Sequence, residues 1–387
     1  MTTQLDYEAS LRAESKKWGE HLKVEAQADS LGDNWLGHPL ISQHYAERGL
    51  VDGLPWPQWV GKSLGEPAER SLDLGCGSGE KSFEVFRSGA SRYVEGIDIS
   101  TDRLREAEAR SREQDIPGRF READVNTIQL PENSYDLIFS WHSFHHFLEL
   151  EHIMQQVHQA LTSRGLFVLE EFVGPTQFQW TDLQIELVQA MLGFLPKSLR
   201  MYRAGWAKKY EGRSTPEEVQ AVSPFESIRS GEIVALFKRY FHVVRVRQLG
   251  GTLQHLLYNG ILHNFLRDKE QSEHYVKAIY EMEDALMNFR LIPSDFMLLI
   301  GQRRDAPQTE PAELVPEVRE GPISHVSTEL VGQKLAQLRM KEAELDGLLG
   351  SRAVRILKRY GKIKYKYLLP VGRSLGRFVG IRRSGNR

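Results

Sequence analysis

The chain has 387 residues, 41% hydrophobic and 26% charged, a balance ordinary for a soluble globular protein with one large domain plus appendages or two modest ones. A single cysteine, Cys76, excludes an intramolecular disulfide and with it a disulfide-built secreted domain. The net charge of −2 hides an asymmetry: residues 351–387 hold 12 Lys and Arg and no acid, leaving 38 basic and 52 acidic residues elsewhere. A mildly acidic body with a strongly basic tail points to an anionic partner for the tail alone. The first residues lack an apolar signal-type core, and no stretch approaches the roughly 18 apolar residues of a spanning helix. A cytoplasmic location is the expectation.

Residues 1–69 read as a helical extension, with Leu11, Trp18, Leu22 and Val24 giving a rough apolar face. From 71 to 173 short β-type runs (SLDL, YVEGI, GRFREA, YDLIFS, GLFVLEE) alternate with helical stretches at 80–88, 102–113 and 149–161. That order predicts βαβ units and a doubly wound, mostly parallel sheet of the α/β class. A helical, aromatic insertion at about 175–230 interrupts the alternation. A strand at 241–249, one or two helices over 255–291 and a last strand at 296–302 complete a domain spanning 70–305, with seven strands in all.

Pro307, Pro311, Pro316 and Pro322 among glutamates mark 306–322 as an extended linker. The remainder, 323–387, reads as a helical tail. Val331, Leu335, Leu338, Leu345 and Leu349 follow a heptad-like spacing, so 331–349 is a short coiled-coil candidate for homo-oligomer contact. Glu342 on the seam, with Gly332 and Gly347, weakens it. Over 352–368, Ile356, Tyr360, Ile363, Tyr367 and Leu368 project to one side and Arg355, Lys358, Arg359, Lys362 and Lys366 to the other. That is the pattern of an interfacial helix facing anionic headgroups, which would place the chain peripherally at the inner face of a membrane. Packing of this helix on the acidic body is the alternative. Nucleic acid is disfavoured, since it needs no apolar face.

The stretch Leu72-Asp73-Leu74-Gly75-Cys76-Gly77-Ser78-Gly79 runs an apolar strand into a glycine-rich turn, with a helix opening near Glu80. Glycines serve where the backbone must turn tightly and approach a ligand closely. The next strand ends in Gly96-Ile97-Asp98, and a carboxylate about 20 residues past such a turn suits two ribose hydroxyls. A dinucleotide site would need GxGxxG and a helix N-terminus facing a pyrophosphate. Here the pattern is DxGxGxG, and the negative charge of Asp73 and Glu80 opposes a pyrophosphate and suits a cationic ligand.

These residues resemble class I S-adenosylmethionine-dependent methyltransferases, closely over 71–173 and more loosely over 241–302. The resemblance implies a Rossmann-like fold and S-adenosyl-L-methionine as cofactor. It implies that the loop carrying Asp73, Gly75, Gly77 and Gly79 passes under the methionine part. Asp98, followed by Ile99, would hold the ribose, and Asp124 and Val125 the adenine. The strand ending in Ser140 and Trp141 would lie under the methionine and face the acceptor.

Methyl transfer needs alignment of acceptor, methyl and sulfur, and a base where the nucleophile is a hydroxyl. His142, His145 and His146 follow the fourth strand at the carboxyl edge, where open α/β sheets bind ligands. The expected base is His145 or His142, while His146 reads as a packing residue. Glu170 and Glu171 lie on the same edge, where one could orient a histidine and the other meet acceptor hydroxyls or solvent. Gln177, Trp180, Tyr202, Arg203 and Trp206 are the insertion's candidates for a small-molecule or glycan acceptor. His242, His255 and His263 read as structural or surface residues, and no metal site is expected. The tail's Leu345, Leu348, Leu349, Ser351, Arg352 and Arg355 loosely resemble C-terminal segments of bacterial enzymes of surface-polysaccharide synthesis. The expected reaction is therefore O-methylation of a saccharide or glycolipid. The alternatives are a lipid, quinone or secondary-metabolite acceptor, or a scaffold that keeps the fold without turnover.

Overall fold

The computed structural model describes residues 4–25, 34–267 and 269–304, all within the first of two units into which the chain divides, 1–316. The linker, coiled-coil and basic-tail expectations lie outside the described residues. Helices α1 (Gln4–Glu25), α2 (Pro39–Arg48) and α3 (Trp56–Leu64) precede strand β1 (Ser71–Leu74). There follow α4 (Glu80–Arg87), β2 (Val94–Asp98), α5 (Thr101–Glu113), β3 (Gly118–Glu122), β4 (Tyr135–Trp141), α6 (Leu150–Ala160) and β5 (Leu161–Phe172). The insertion contributes α7 (Asp182–Phe194) and α8 (Pro216–Val222). After α9 (Ile233–Tyr240) and β6 (Phe241–Gly250), helices α10 (Gln254–Tyr258), α11 (Leu262–Arg267) and α12 (Lys269–Asn288) lead to β7 (Phe296–Arg303).

The seven strands form one sheet in the order β3-β2-β1-β4-β5-β7-β6. Strands β1 to β5 run parallel, with Ser71 opposite both Val94 and Leu137. Strand β7 enters antiparallel between β5 and β6, pairing Leu166 with Gln302 and Phe241 with Arg303. This is the α/β, doubly wound, Rossmann-like sheet with a closing strand–helix–strand expected from the sequence. Its strands are covered on both faces, so they read as apolar runs rather than alternations. Along β4, Leu137 and Phe139 join a core with Trp56 and Val60 of α3, while Ile138 joins another with Ile153 of α6 and Phe237 of α9.

Local signals place the helix ends. Thr181 and Gln184 form a capping box on α7, and Thr215 with Glu218 forms a second on α8, where Pro216 opens the helix. The helical stretch expected over 255–291 is broken into three. Gly260, at φ 73°, turns the chain between α10 and α11, and a side chain there would collide with the Tyr202 ring. The carboxyl ends of β1 to β4 meet along one edge, and that edge positions the site.

Candidate active site

Between β1 and α4, Gly75, Gly77 and Gly79 all have left-handed backbone, at φ 73°, 53° and 85°. A β-carbon on Gly75 would stand 2.5 Å from the Ser143 hydroxyl, whereas one on Gly77 would meet nothing closer than 3.7 Å. The first glycine therefore lets the loop pack on the turn after β4, and the second leaves room beside a cavity. That cavity, of about 510 Å³, is lined by Gly75 and Gly77 from the loop, Asp98 at the end of β2 with Ile99 after it, and Asp124 and Val125 after β3. Trp141, His142 and His145 line it from β4 and its following turn. Its size is in the range of small-molecule sites.

Asp98 accepts the Gly77 N–H on one oxygen at 2.9 Å and the Ser100 N–H on the other at 2.8 Å. Burial lifts its pKa above the usual carboxylate range, and these N–H groups act against the rise. Asp124 receives the Asn126 N–H at 2.9 Å and the Tyr7 hydroxyl at 2.7 Å, so α1 reaches across to the adenine end of the expected site. Three of the sequence candidates take no place in the cavity wall. Asp73 is buried beneath the loop, accepting from the Ser82 hydroxyl at 2.7 Å, and burial pushes its pKa up to about 7. Ser140 donates to the Leu74 carbonyl at 2.8 Å, and the Gly79 position is filled by the Phe83 ring. These residues hold the loop from below.

The turn after β4 is gripped by Glu171, which is wholly buried. One of its oxygens accepts the Ser143 and Phe144 N–H groups at 2.9 and 2.6 Å, and the other lies 2.5 Å from His145 Nδ1. Glu170, one residue earlier, is partly buried, accepting from the Trp56 and Trp141 indoles at 2.8 and 3.2 Å with Lys81 at 3.6 Å.

The structure separates the two candidate bases. Burial acts to lower the His145 pKa, but Glu171 and Glu226 on its two ring nitrogens raise it to about 10. His142 is lowered by burial, which outweighs its attraction to Glu170 and Glu171. Its Nε2 lies 3.0 Å from the Tyr45 hydroxyl, whose own pKa is pushed up by burial. His142 also has φ 52°, a left-handed conformation that costs a side-chain-bearing residue energy.

Several lining residues escaped the sequence reading. Glu14 and Trp18 come from α1, Phe178, Phe225 and Glu226 from the insertion, and His255 and Phe296 from β6–β7 and its crossover. His255, read as structural or surface, faces the cavity among Phe172, Phe178 and Phe296, and burial lowers its pKa to about 4. His146, read as packing, also faces the cavity while its ring meets Trp18 edge-on at 5.2 Å. Gln177, Trp180, Tyr202, Arg203 and Trp206 do not line it. Trp180 stands behind Phe178 in a stacked pair at 5.1 Å, and Trp206 is 63% exposed. Only spacing in the folded chain could have found Glu226, because nothing in the local sequence ties it to a turn 80 residues earlier.

Sheet order, glycine turn and the acids after β2 and β3 define the class I methyltransferase fold. Residues 66–219 match a family described as a methyltransferase domain. Similar proteins include the 27-O-demethylrifamycin SV methyltransferase of Amycolatopsis mediterranei, 30% identical over 107 residues, 27% of this chain and 39% of that one. The 2-phytyl-1,4-naphtoquinone methyltransferase of Nostoc is 25% identical over 159 residues, 40% of this chain and 64% of that one. The mitochondrial arginine-hydroxylase NDUFAF5 of Rattus norvegicus is 32% identical over 127 residues, 33% of this chain and 36% of that one. The chain thus spans between about a third and two thirds of the length of these curated relatives.

Proposed function

We propose that the chain is an S-adenosylmethionine-dependent methyltransferase acting on an oxygen of a small acceptor. The observation that carries this reading is one cavity joining the glycine loop, Asp98 and Asp124 to His142. Glu14, Glu80, Asp98, Asp124 and Glu226 give its wall a negative bias that suits a sulfonium cation, and a pyrophosphate would be repelled there. When bound, S-adenosylmethionine supplies an electrophilic methyl group for in-line displacement. Asp98 would hold the ribose hydroxyls, Asp124 with the Val125 amide the adenine, and the Gly75–Gly77 backbone the methionine part.

An acceptor hydroxyl entering beside His142 takes the place of Tyr45 at Nε2 and gives that atom its proton. Phe178, Phe296 and Phe172 offer apolar faces on which a planar acceptor or a sugar ring can stack. A saccharide or glycolipid acceptor is supported by the tail's pattern, and a quinone or secondary metabolite by the names of two relatives. The basic segment 352–368 would dock the cytoplasmic chain on an anionic bilayer, each basic residue contributing on the order of 1 kcal/mol.

Calorimetry with S-adenosylmethionine, S-adenosylhomocysteine and NAD tests the central reading: the first two bind and NAD does not. Failure of both sulfur compounds to bind overturns it. Turnover in a tritium-methyl assay on candidate glycans and quinones selects the acceptor, and salt-sensitive binding to phosphatidylserine vesicles, lost on truncation after Gly350, tests the tail.

A further inference from the structure

His145 and His146 are consecutive residues on a single 3-10 turn, Phe144–His146, with their rings 4.2 Å apart. Each has one ring nitrogen facing a buried carboxylate. His145 Nδ1 is 2.5 Å from Glu171, and His146 Nδ1 is 3.1 Å from Glu14, in ion-pair reach although not aligned as a hydrogen bond. Both Nε2 atoms face the same oxygen, Glu226 Oε1, at 3.6 and 3.9 Å. The other oxygen of Glu226 is held by Lys17 at 3.2 Å, and Glu14 is fixed by the Ser223 hydroxyl and the Trp18 indole at 2.8 and 2.7 Å. Two imidazole nitrogens and one carboxylate oxygen thus lie within 4.8 Å of one another on the cavity wall.

Histidines that bind metals almost always give their second ring nitrogen to a carboxylate, carbonyl or water, which fixes the tautomer and turns the free lone pair toward the ion. His145 has that arrangement with Glu171, and His146 has Glu14 within ion-pair reach of its Nδ1. Metal–nitrogen bonds of about 2.0–2.1 Å in a tetrahedron put neighbouring donors about 3.4 Å apart, close to the spacing of each Nε2 from the carboxylate oxygen. Three protein donors leave a fourth position, which is the pattern of a catalytic rather than a structural site. Two imidazoles and one carboxylate suit zinc, manganese, iron(II) or cobalt better than calcium or magnesium. The three donors come from the turn after β4 and the insertion, and α1 supplies Glu14 beside them.

We propose that His145, His146 and Glu226 bind one divalent transition-metal ion whose open position faces the cavity. Glu171 and Glu14 orient the two rings. Resting on the methyl-transfer reading, the ion would take one acceptor oxygen in that position and favour its alkoxide or phenolate, so that alcohols and phenols are the class selected. The proton lost goes to His142 or to solvent.

The test uses the full chain, stripped with a chelator and titrated with Co²⁺ or Zn²⁺ alone. One ion per chain by elemental analysis, with visible Co²⁺ absorption of a low-coordinate N/O site, is expected. Glu226→Gln and His146→Gln should abolish stoichiometric binding, and Glu14→Gln should weaken it by about 10–100-fold as an orienting group does. Thermal unfolding of each variant checks that it folds; if Glu226→Gln does not, His146→Gln decides. No stoichiometric ion in the intact chain, or equal binding by the folded variants, overturns the proposal. S-adenosylhomocysteine affinity, measured on the same samples, reports the cofactor half separately, so failure of one reading is distinguishable from failure of the other.

Discussion

The two halves of the cavity are built by different means. The half under Gly75, Gly77, Asp98 and Asp124 comes from the loops after β1, β2 and β3, each a few residues from the strand that aims it. Its contacts are largely backbone, as in the Gly77 and Ser100 N–H groups on Asp98. The half around His142, His145 and His146 is assembled from α1, the insertion and the β6–β7 crossover, through side chains such as Glu14, Glu226 and His255. Three parallel strands that neighbour one another give a ligand cradle that any such sheet can repeat. An acceptor wall made from three distant segments can vary without disturbing it.

Asp98→Ala should have the largest effect and the narrowest reach. Losing two hydrogen bonds to a charged group, at about 1.5–3 kcal/mol each, should weaken S-adenosylhomocysteine binding by roughly 100-fold or more in calorimetry. Undiminished affinity would break the assignment of the near half. His142→Ala should act on the other half alone, lowering turnover at least about tenfold, or 1.4 kcal/mol of barrier, with cofactor affinity unchanged. If affinity falls as much as turnover, the halves are not separable.

Tyr7→Phe probes a place where α1 enters the near half. Removing its hydroxyl from Asp124, a bond worth about 0.5–1.5 kcal/mol, should weaken the same ligand by roughly 2–10-fold. The smallest effect is expected at Asp136, on the opposite edge of the sheet, where Arg164, Thr162 and the Glu69 N–H surround its carboxylate. Burial acts to raise its pKa, but these partners hold it below the usual value. Its stabilisation is therefore present above the unfolded pKa near 4 and lost as pH falls through the folded value. Asp136→Asn should flatten the acid limb of a thermal-stability profile and leave ligand affinity untouched.

The near half was legible because its chemistry is contiguous. Asp73 to Gly79, Asp98 and Asp124 each follow a recognisable strand, and the fold follows from that alternation. What local sequence could not distinguish is depth. Asp73 and Ser140 sit in the right motifs yet face the underside of the loop, where Ser82 and the Leu74 carbonyl hold them. The far half was readable only at its histidines. The insertion's aromatic residues were visible, but which of them face inward depends on how 175–230 folds back. Phe178 and Phe225 turn inward, while Trp206 turns to solvent.

Glu170 and Glu171 are adjacent, and the alternation of a strand sends them to opposite faces of β5. One serves two indoles, Lys81 and the neighbourhood of His142; the other holds the turn of His145. For a protein engineer this makes β5 a two-channel handle. Changing the first acid retunes one imidazole while the other stays docked, and a one-residue slip of the strand would exchange both settings at once.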